Sequence, residues 1–570
     1  MGEQVDTAGE QETAPRIVRR WPSWSALVGA VVCYCLSFTP SLLPRPWYLQ
    51  AAAGAITALF GYGFGAFFGF VARECRLLPP DRVRRAGWWL LAVAGGGAVL
   101  TVTAWSVRWQ GDLRRAVGMD PRIGWWQWAL VLPIALLLGA LLVLAARAVR
   151  LGTRWVRGIL GRAVPGWAAA AGAAALATVL VVGFVEGFLL RSLLDLAERG
   201  AALTDRSTSP GIVRPTRSTL SGSPDSYESW ASLGAKGRDF VGSAPTAAEI
   251  SAFTGHPAQD PVRAYVGLRS GDGSGFAEGA RTSAGLKERA GRAVAELERA
   301  GGFERKVLVV LGTTGSGWVN ERIAQPVEYL YGGDSAEVAY QYSYLPSWIS
   351  FLTEGDATDA GRALYDAVRA HWSQLPADHR PRLLVAGESL GSYATERAFP
   401  GGVPQLAEQT GGALLVGPTP DNPLRAEVTD HREPGSPVWR PLYQDGQTVR
   451  FAQRPGDFAV PAAGWGRPRV VYLQNGTDPV VWWEPTLIWR EPAWLNGERA
   501  YDVSPTMRWY PLVTFWQVTC DLAASEAVPE GHGHRYGLMP AEAWARIAPP
   551  DGWTAQDTDR LVAYLADRLA

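Results

Sequence analysis

The residues most capable of chemistry are Gly387-Glu388-Ser389-Leu390-Gly391, a G-x-S-x-G set between a β-rich run at 382–386 and an amphipathic run at 390–399. That is the context a nucleophile elbow requires. A serine hydroxyl attacks a carbonyl carbon only when it is exposed on a strained strand-to-helix turn with a base at hand. Glycines two residues to either side let strand and helix approach closely enough to form such a turn. Glu388 reads as an elbow residue without chemistry of its own. The plainer reading of the whole motif is a tight turn with an idle serine.

A nucleophilic serine needs a histidine base held by an acid, and in a strand–turn–helix setting these follow in the chain order serine, acid, histidine. Order prunes the six histidines. His256 precedes the whole sheet, His371 lies on a helix, His379 sits before its strand, and His431 precedes the better acid. His532 and His534 remain, in Gly531-His532-Gly533-His534-Arg535-Tyr536. His534 is favoured because Tyr536 could pack beside its ring; His532 would then bind substrate or cap the loop. For the acid, Asp478 in Asn475-Gly476-Thr477-Asp478-Pro479 follows the run 469–473 directly and emerges at the same sheet edge as Ser389. Its competitor is Asp421, which also reads as a turn residue beside two prolines.

The oxyanion of an acyl-transfer intermediate needs two converging N–H donors. Leu390, which follows the nucleophile, supplies one. Thr313 or Thr314 supplies the other, in the loop Gly312-Thr313-Thr314-Gly315-Ser316-Gly317-Trp318. That loop is not a phosphate cradle, because it lacks the G-K-[ST] ending. The cysteines Cys33, Cys35, Cys75 and Cys520 form neither a disulfide framework nor a zinc pattern. No cofactor and no metal is expected.

The elements that must position these residues alternate in type. Runs rich in β-formers at 263–268, 306–311, 338–343 and 382–386 are followed by amphipathic stretches at 283–299, 318–330, 356–372 and 390–399. Two further apolar runs follow at 413–416 and 469–473. This alternation predicts a mainly parallel sheet covered on both faces, occupying residues 261–570. Upstream, residues 195–260 are rich in Ser, Thr, Pro and Gly without a sustained period and read as a linker, with a partly ordered stretch at 230–241.

The first third of the 570 residues is different in kind. After a cytoplasmic tail (1–24), apolar stretches at 25–43, 47–72, 87–107, 124–149 and 167–190 predict a domain of about five transmembrane helices over 25–194. The first run is too long for a cleavable signal and has no small-residue cleavage site. Tryptophans such as Trp24, Trp47, Trp88, Trp125 and Trp167 stand at span ends, where an indole bridges lipid and water. Thirteen arginines lie before span one and in the connections two–three and four–five, against five in the alternate connections. The positive-inside bias puts the N-terminus in the cytoplasm and, with five spans, the C-terminal domain outside it. Glu186 in span five is an ionisable group in an apolar run, either functional or snorkelling toward Arg191. Gly61, Gly65 and Gly69 make a small-residue helix face. Lys+Arg and Asp+Glu are equal at 54 each, so the basic excess of a nucleic-acid binder is missing.

This architecture, together with Val528-Pro529-Glu530-Gly531-His532-Gly533-His534, resembles the actinobacterial membrane-anchored α/β-hydrolase family, over nearly the whole chain. The resemblance implies a multi-span N-terminal domain, a C-terminal α/β-hydrolase domain and a serine hydrolase of the cell envelope, without supplying a substrate. The expected activity is that of an esterase or lipase on acyl esters, with the membrane and a lipid or acyl ester as its partners. An envelope acyltransferase could use the same serine, acid and histidine. A reading of another class is a catalytically silent lipid-binding or scaffold protein. Trp482, Trp483, Trp489 and Trp494 either line a greasy surface near the site or fill the core.

Overall fold

A computed structural model describes residues 23–77, 80–160, 204–271, 282–344 and 354–569, with isolated positions between 165 and 202. It divides into two compact units. One comprises Met1–Thr39, Trp47–Arg108 and Gly124–Leu144; the other comprises Pro40–Pro46, Trp109–Ile123 and Ala145–Ala570.

The first unit is helical. Three helical stretches among the described residues are long and apolar enough to cross a membrane: Trp47–Glu74, Arg85–Ala116 and Trp125–Ile159. They leave Phe64, Phe68, Val93, Leu136 and Trp155 exposed, which suits a lipid surround. Three of the five expected spans are thus found among these residues. The apolar helix Trp24–Leu36 has only 13 residues, about 20 Å at 1.5 Å per residue, short of the roughly 30 Å hydrocarbon core. It ends where Ser37 and Thr39 turn their hydroxyls onto the carbonyls of Tyr34 and Leu36, and Pro40 and Pro44 prevent its continuation. The expected fifth span and Glu186 lie outside the described residues. Gly61 and Gly65 pack on the first helix, since a Cβ on either would collide with the backbone carbonyl of Gly29 or Ser25.

The second unit is built on seven parallel strands: β1 (Val262–Val266), β2 (Val307–Gly312), β3 (Ser335–Tyr340), β4 (Arg382–Glu388), β5 (Gly412–Val416), β6 (Val449–Ala452) and β7 (Arg469–Leu473). Their order across the sheet is β1-β3-β2-β4-β5-β7-β6. Alternate residues of each strand serve opposite faces. Leu308, Val310, Leu383 and Val385 pack under helices Ser283–Arg299, Glu354–Gln374 and Leu390–Glu396. Val307, Val309, Leu384 and Ala386 meet Ile323, Val327, Trp544 and Leu561 on the other face. Burial on both faces explains why these strands read as unbroken apolar runs. In register, Gly312 of β2 faces Gly387 of β4, and Val416 of β5 faces Leu473 of β7. The loops leaving these four strands therefore start level with one another at one sheet edge.

Within the stretch expected to be a linker, helices Gly234–Gly242 and Ala247–Thr254 are formed and Leu220 bridges to Arg263. Long-range polar contacts hold it. The fully buried Arg263 donates to both oxygens of Glu328 at 2.7 and 2.8 Å and also to the carbonyl of Phe240. Glu296 accepts the hydroxyls of Ser221 and Ser226. A Ser-rich composition conceals such order because the partners are distant in sequence.

Candidate active site

At the end of β4 the chain turns through Ser389 at φ 55°, ψ −124° and enters helix Leu390–Glu396. This is a left-handed conformation that a residue with a Cβ adopts at a cost of order 1–3 kcal/mol. The flanking glycines make it possible: a Cβ on Gly387 would collide with the carbonyl of Gly391, and one on Gly391 with that of Gly312. The Ser389 N–H donates to the Val416 carbonyl at 2.8 Å, tying the turn to β5. Its Oγ forms no hydrogen bond among the described residues.

Gly417, the residue after Val416, donates its N–H to Leu473 of β7 at 2.8 Å. It has φ +52°, and a Cβ there would stand 2.5 Å from Cε1 of His534. The His534 imidazole thus lies against the residue that follows Ser389's own backbone partner. His534 Nδ1 is 2.7 Å from Asp478 Oδ2, so Nε2 is the nitrogen left for a nucleophile or substrate. Asp478 is fully buried. Its Oδ2 also accepts the Tyr536 hydroxyl at 2.6 Å, and its Oδ1 accepts the Val480 N–H at 2.8 Å, capping a short helix. Tyr536 meets the His534 ring edge-on at 5.8 Å.

Burial works against protonation of His534, but the charge and hydrogen bond of Asp478, with Glu388 and Glu526 beyond, outweigh it and push the pKa up to about 9. Glu388 is itself buried, which raises its pKa although His534 and a 2.6 Å hydrogen bond from Asn320 oppose the rise.

His532 is held by a different carboxylate. Its Nδ1 lies 2.9 Å from Asp502 Oδ2, which also accepts the Thr477 hydroxyl at 2.6 Å. Thr477 Oγ1 in turn accepts the Gly533 N–H at 3.0 Å, and Asn475 Nδ2 donates to the Gly533 carbonyl at 2.8 Å. The glycine between the two histidines is therefore clamped by the loop that carries Asp478. Asp502 was not legible in the sequence, because it sits in an irregular segment with no strand or helix to point at it. Asp421 is exposed. Its neighbour Asn422 is buried and donates to Glu396 at 2.7 Å.

Thr313 and Thr314 are buried beside the elbow; Thr313 donates its hydroxyl to the Tyr340 carbonyl at 2.8 Å. A Cβ on Gly391 would also approach the carbonyl carbon of Thr313 at 3.3 Å, so this loop and the N-terminus of helix Leu390–Glu396 are adjacent. Of the four tryptophans after Asp478, Trp482 and Trp494 are core residues, Trp483 packs partly against that core, and Trp489 is exposed. Trp482 donates to the Asn475 carbonyl at 3.2 Å and stacks under Arg425.

Comparison with known proteins agrees with this architecture. Residues 262–561 match an alpha/beta-hydrolase family, and residues 38–245 match the N-terminal region of an alpha/beta-hydrolase family. No curated protein and no solved structure gives a significant match. With its parallel sheet, strained serine turn and family match over more than half its length, the chain belongs to the alpha/beta-hydrolase family, with that family's N-terminal region ahead of the hydrolase domain.

Proposed function

We propose that the protein is a membrane-anchored serine esterase or lipase acting on acyl esters of cell-envelope lipids. The observation that carries the reading is the positive φ of Ser389 on the same sheet edge as the 2.7 Å His534–Asp478 pair. Ser389 Oγ attacks the ester carbonyl carbon while His534 Nε2 takes its proton; Asp478 fixes the tautomer and stabilises the imidazolium. The N–H groups of Leu390 and of Thr313 or Thr314 receive the oxyanion. The alcohol leaves with the proton from His534, and water, activated by the same imidazole, releases the acid. Transfer to an alcohol acceptor would share every step up to deacylation.

A fluorophosphonate probe applied to the full-length protein in detergent should form one adduct, on Ser389, and Ser389→Ala should abolish it. Labelling that persists in the variant would overturn the assignment of the nucleophile. A folded wild-type protein that never labels would favour the silent lipid-binding reading.

The proposed home is the plasma membrane, with the catalytic unit on its outer side. The support is the arginine asymmetry of thirteen against five, counted over the five expected spans. A reporter enzyme that works only outside the cytoplasm, fused after Ala570, should be active. Activity of a cytosolic reporter at that position would reverse the orientation.

A further inference from the structure

The loop joining the first two helices of the N-terminal region is not part of the helical unit. Pro40–Pro46 belongs to the unit that carries Ser389, as does Trp109–Ile123. The anchor is Asp521, fully buried on helix Val513–Leu522. It accepts hydrogen bonds from the Ser41 hydroxyl at 3.2 Å, the Leu42 N–H at 3.1 Å and the Leu43 N–H at 3.4 Å. The Arg45 guanidinium pairs with it at 3.3 Å, with both side chains fully shielded from solvent. Arg45 also donates its backbone N–H to the side-chain oxygen of Gln110, near the end of the helical stretch Arg85–Ala116, at 2.9 Å. Burying two charges in this way is costly, and removing either partner would leave the other buried and uncompensated. Burial pushes Asp521 up to about 6, against the pull of Arg45 and the three donors.

Two routes run from this anchor to the histidine loop. Along the backbone, the Asp521 carbonyl accepts the Ala524 N–H at 2.9 Å, and the carbonyl of the next residue, Ser525, accepts the His534 N–H at 2.9 Å. Through side chains, Leu42, Leu43 and Val117 join Trp482, Val518 and Val528 in one apolar cluster. Val528 Cγ2 stands 2.7 Å from where a Cβ on Gly533 would be. The same few residues therefore hold an inter-helix loop on one side and the His534 loop on the other.

We propose that the Pro40–Pro46 loop, latched on Asp521, is a working part of the catalytic unit and sets the position of the His534 loop, which makes Asp521, Ser41 and Arg45 positioning residues. The positioning role rests on the reading of His534 as the base.

Hydrogen exchange followed by mass spectrometry on the full-length protein in detergent, together with ester kinetics, tests this. In the wild type, a peptide covering Leu42 and Leu43 should be strongly protected. In Asp521→Asn its exchange should rise at least ten-fold, and the peptide covering 525–535 should rise with it. The variant's kcat on a short soluble ester should fall at least ten-fold with KM within two-fold, and the pH midpoint of kcat/KM should move down as His534 loosens from Asp478. Ser41→Ala, which removes a single donor, keeps the test open if Asp521→Asn does not fold; it should show the same changes at about three-fold. An unprotected 40–46 loop in the wild type would overturn the latch. So would faster exchange at 40–46 with the 525–535 peptide and the pH profile unmoved. If the wild type hydrolyses no ester, the hydrolase reading fails, and coupled exchange of the two peptides still upholds the latch.

Discussion

His534→Ala should lower kcat for ester hydrolysis by about 10⁴- to 10⁶-fold, whereas His532→Ala should stay within about ten-fold of wild type, as a residue that steadies the loop without exchanging a proton with substrate. The two histidines are two residues apart and each has a carboxylate on Nδ1, at 2.7 Å from Asp478 and 2.9 Å from Asp502. What separates them is position. His534 packs on Gly417, next to the residue that accepts the Ser389 N–H, and its charge is felt by Glu388 beside the serine. Asp502 is shared with Thr477, which holds Gly533, so the His532 pair acts on the shape of the loop. Steady-state kinetics on a chromogenic short-chain ester, with circular dichroism to verify folding, measures both. Comparable losses in the two variants would show that the base assignment is wrong.

Asp478→Asn should cost about 10⁴-fold in kcat, because the amide presents the wrong partner to Nδ1 and favours the unproductive tautomer. The wild-type pH profile follows from the same pair. Burial depresses the imidazole, but Asp478, Glu388 and Glu526 together raise it to about 9. The base acts in its neutral form, so kcat/KM should climb with pH from the acid side, reach half its plateau near pH 9 and level off only above that. Removing the Asp478 charge removes the largest raising influence, so the midpoint in Asp478→Asn should move to lower pH while the plateau falls. An unmoved midpoint would mean that another group governs the limb. Since a free-enzyme pKa is read from kcat/KM and not from kcat, the two parameters must be followed separately.

Much of this organisation was legible in the chain because it depends on local pattern. Helix Ser283–Arg299 and strand β7, Arg469–Leu473, stand where the sequence pattern puts them, each bounded by turn residues and carrying the right period. β6 was not foreseen: at four residues, Val449–Ala452, on the sheet edge, it is too short for a pattern to emerge. The first apolar run was read as a span to residue 43 because composition cannot tell lipid from the interior of a folded unit. Leu42 and Leu43 are fully buried among the tryptophans that follow Asp478.

By itself the sequence determined the parallel α/β architecture and the strand-to-helix turn at Ser389. These follow from periodicity, from glycine spacing and from the chirality of β–α–β connections, all of which act over a few residues or a single crossover. Only the tertiary structure decided that Asp478 takes His534 and Asp502 takes His532, that residues 214–254 are folded against β1 and not left as a tether, and that an inter-helix loop closes on Asp521. Each of these depends on hydrogen bonds and buried charges joining residues tens to hundreds of positions apart. Their partners are chosen by strand order and by the geometry of packing, which a one-dimensional pattern does not encode.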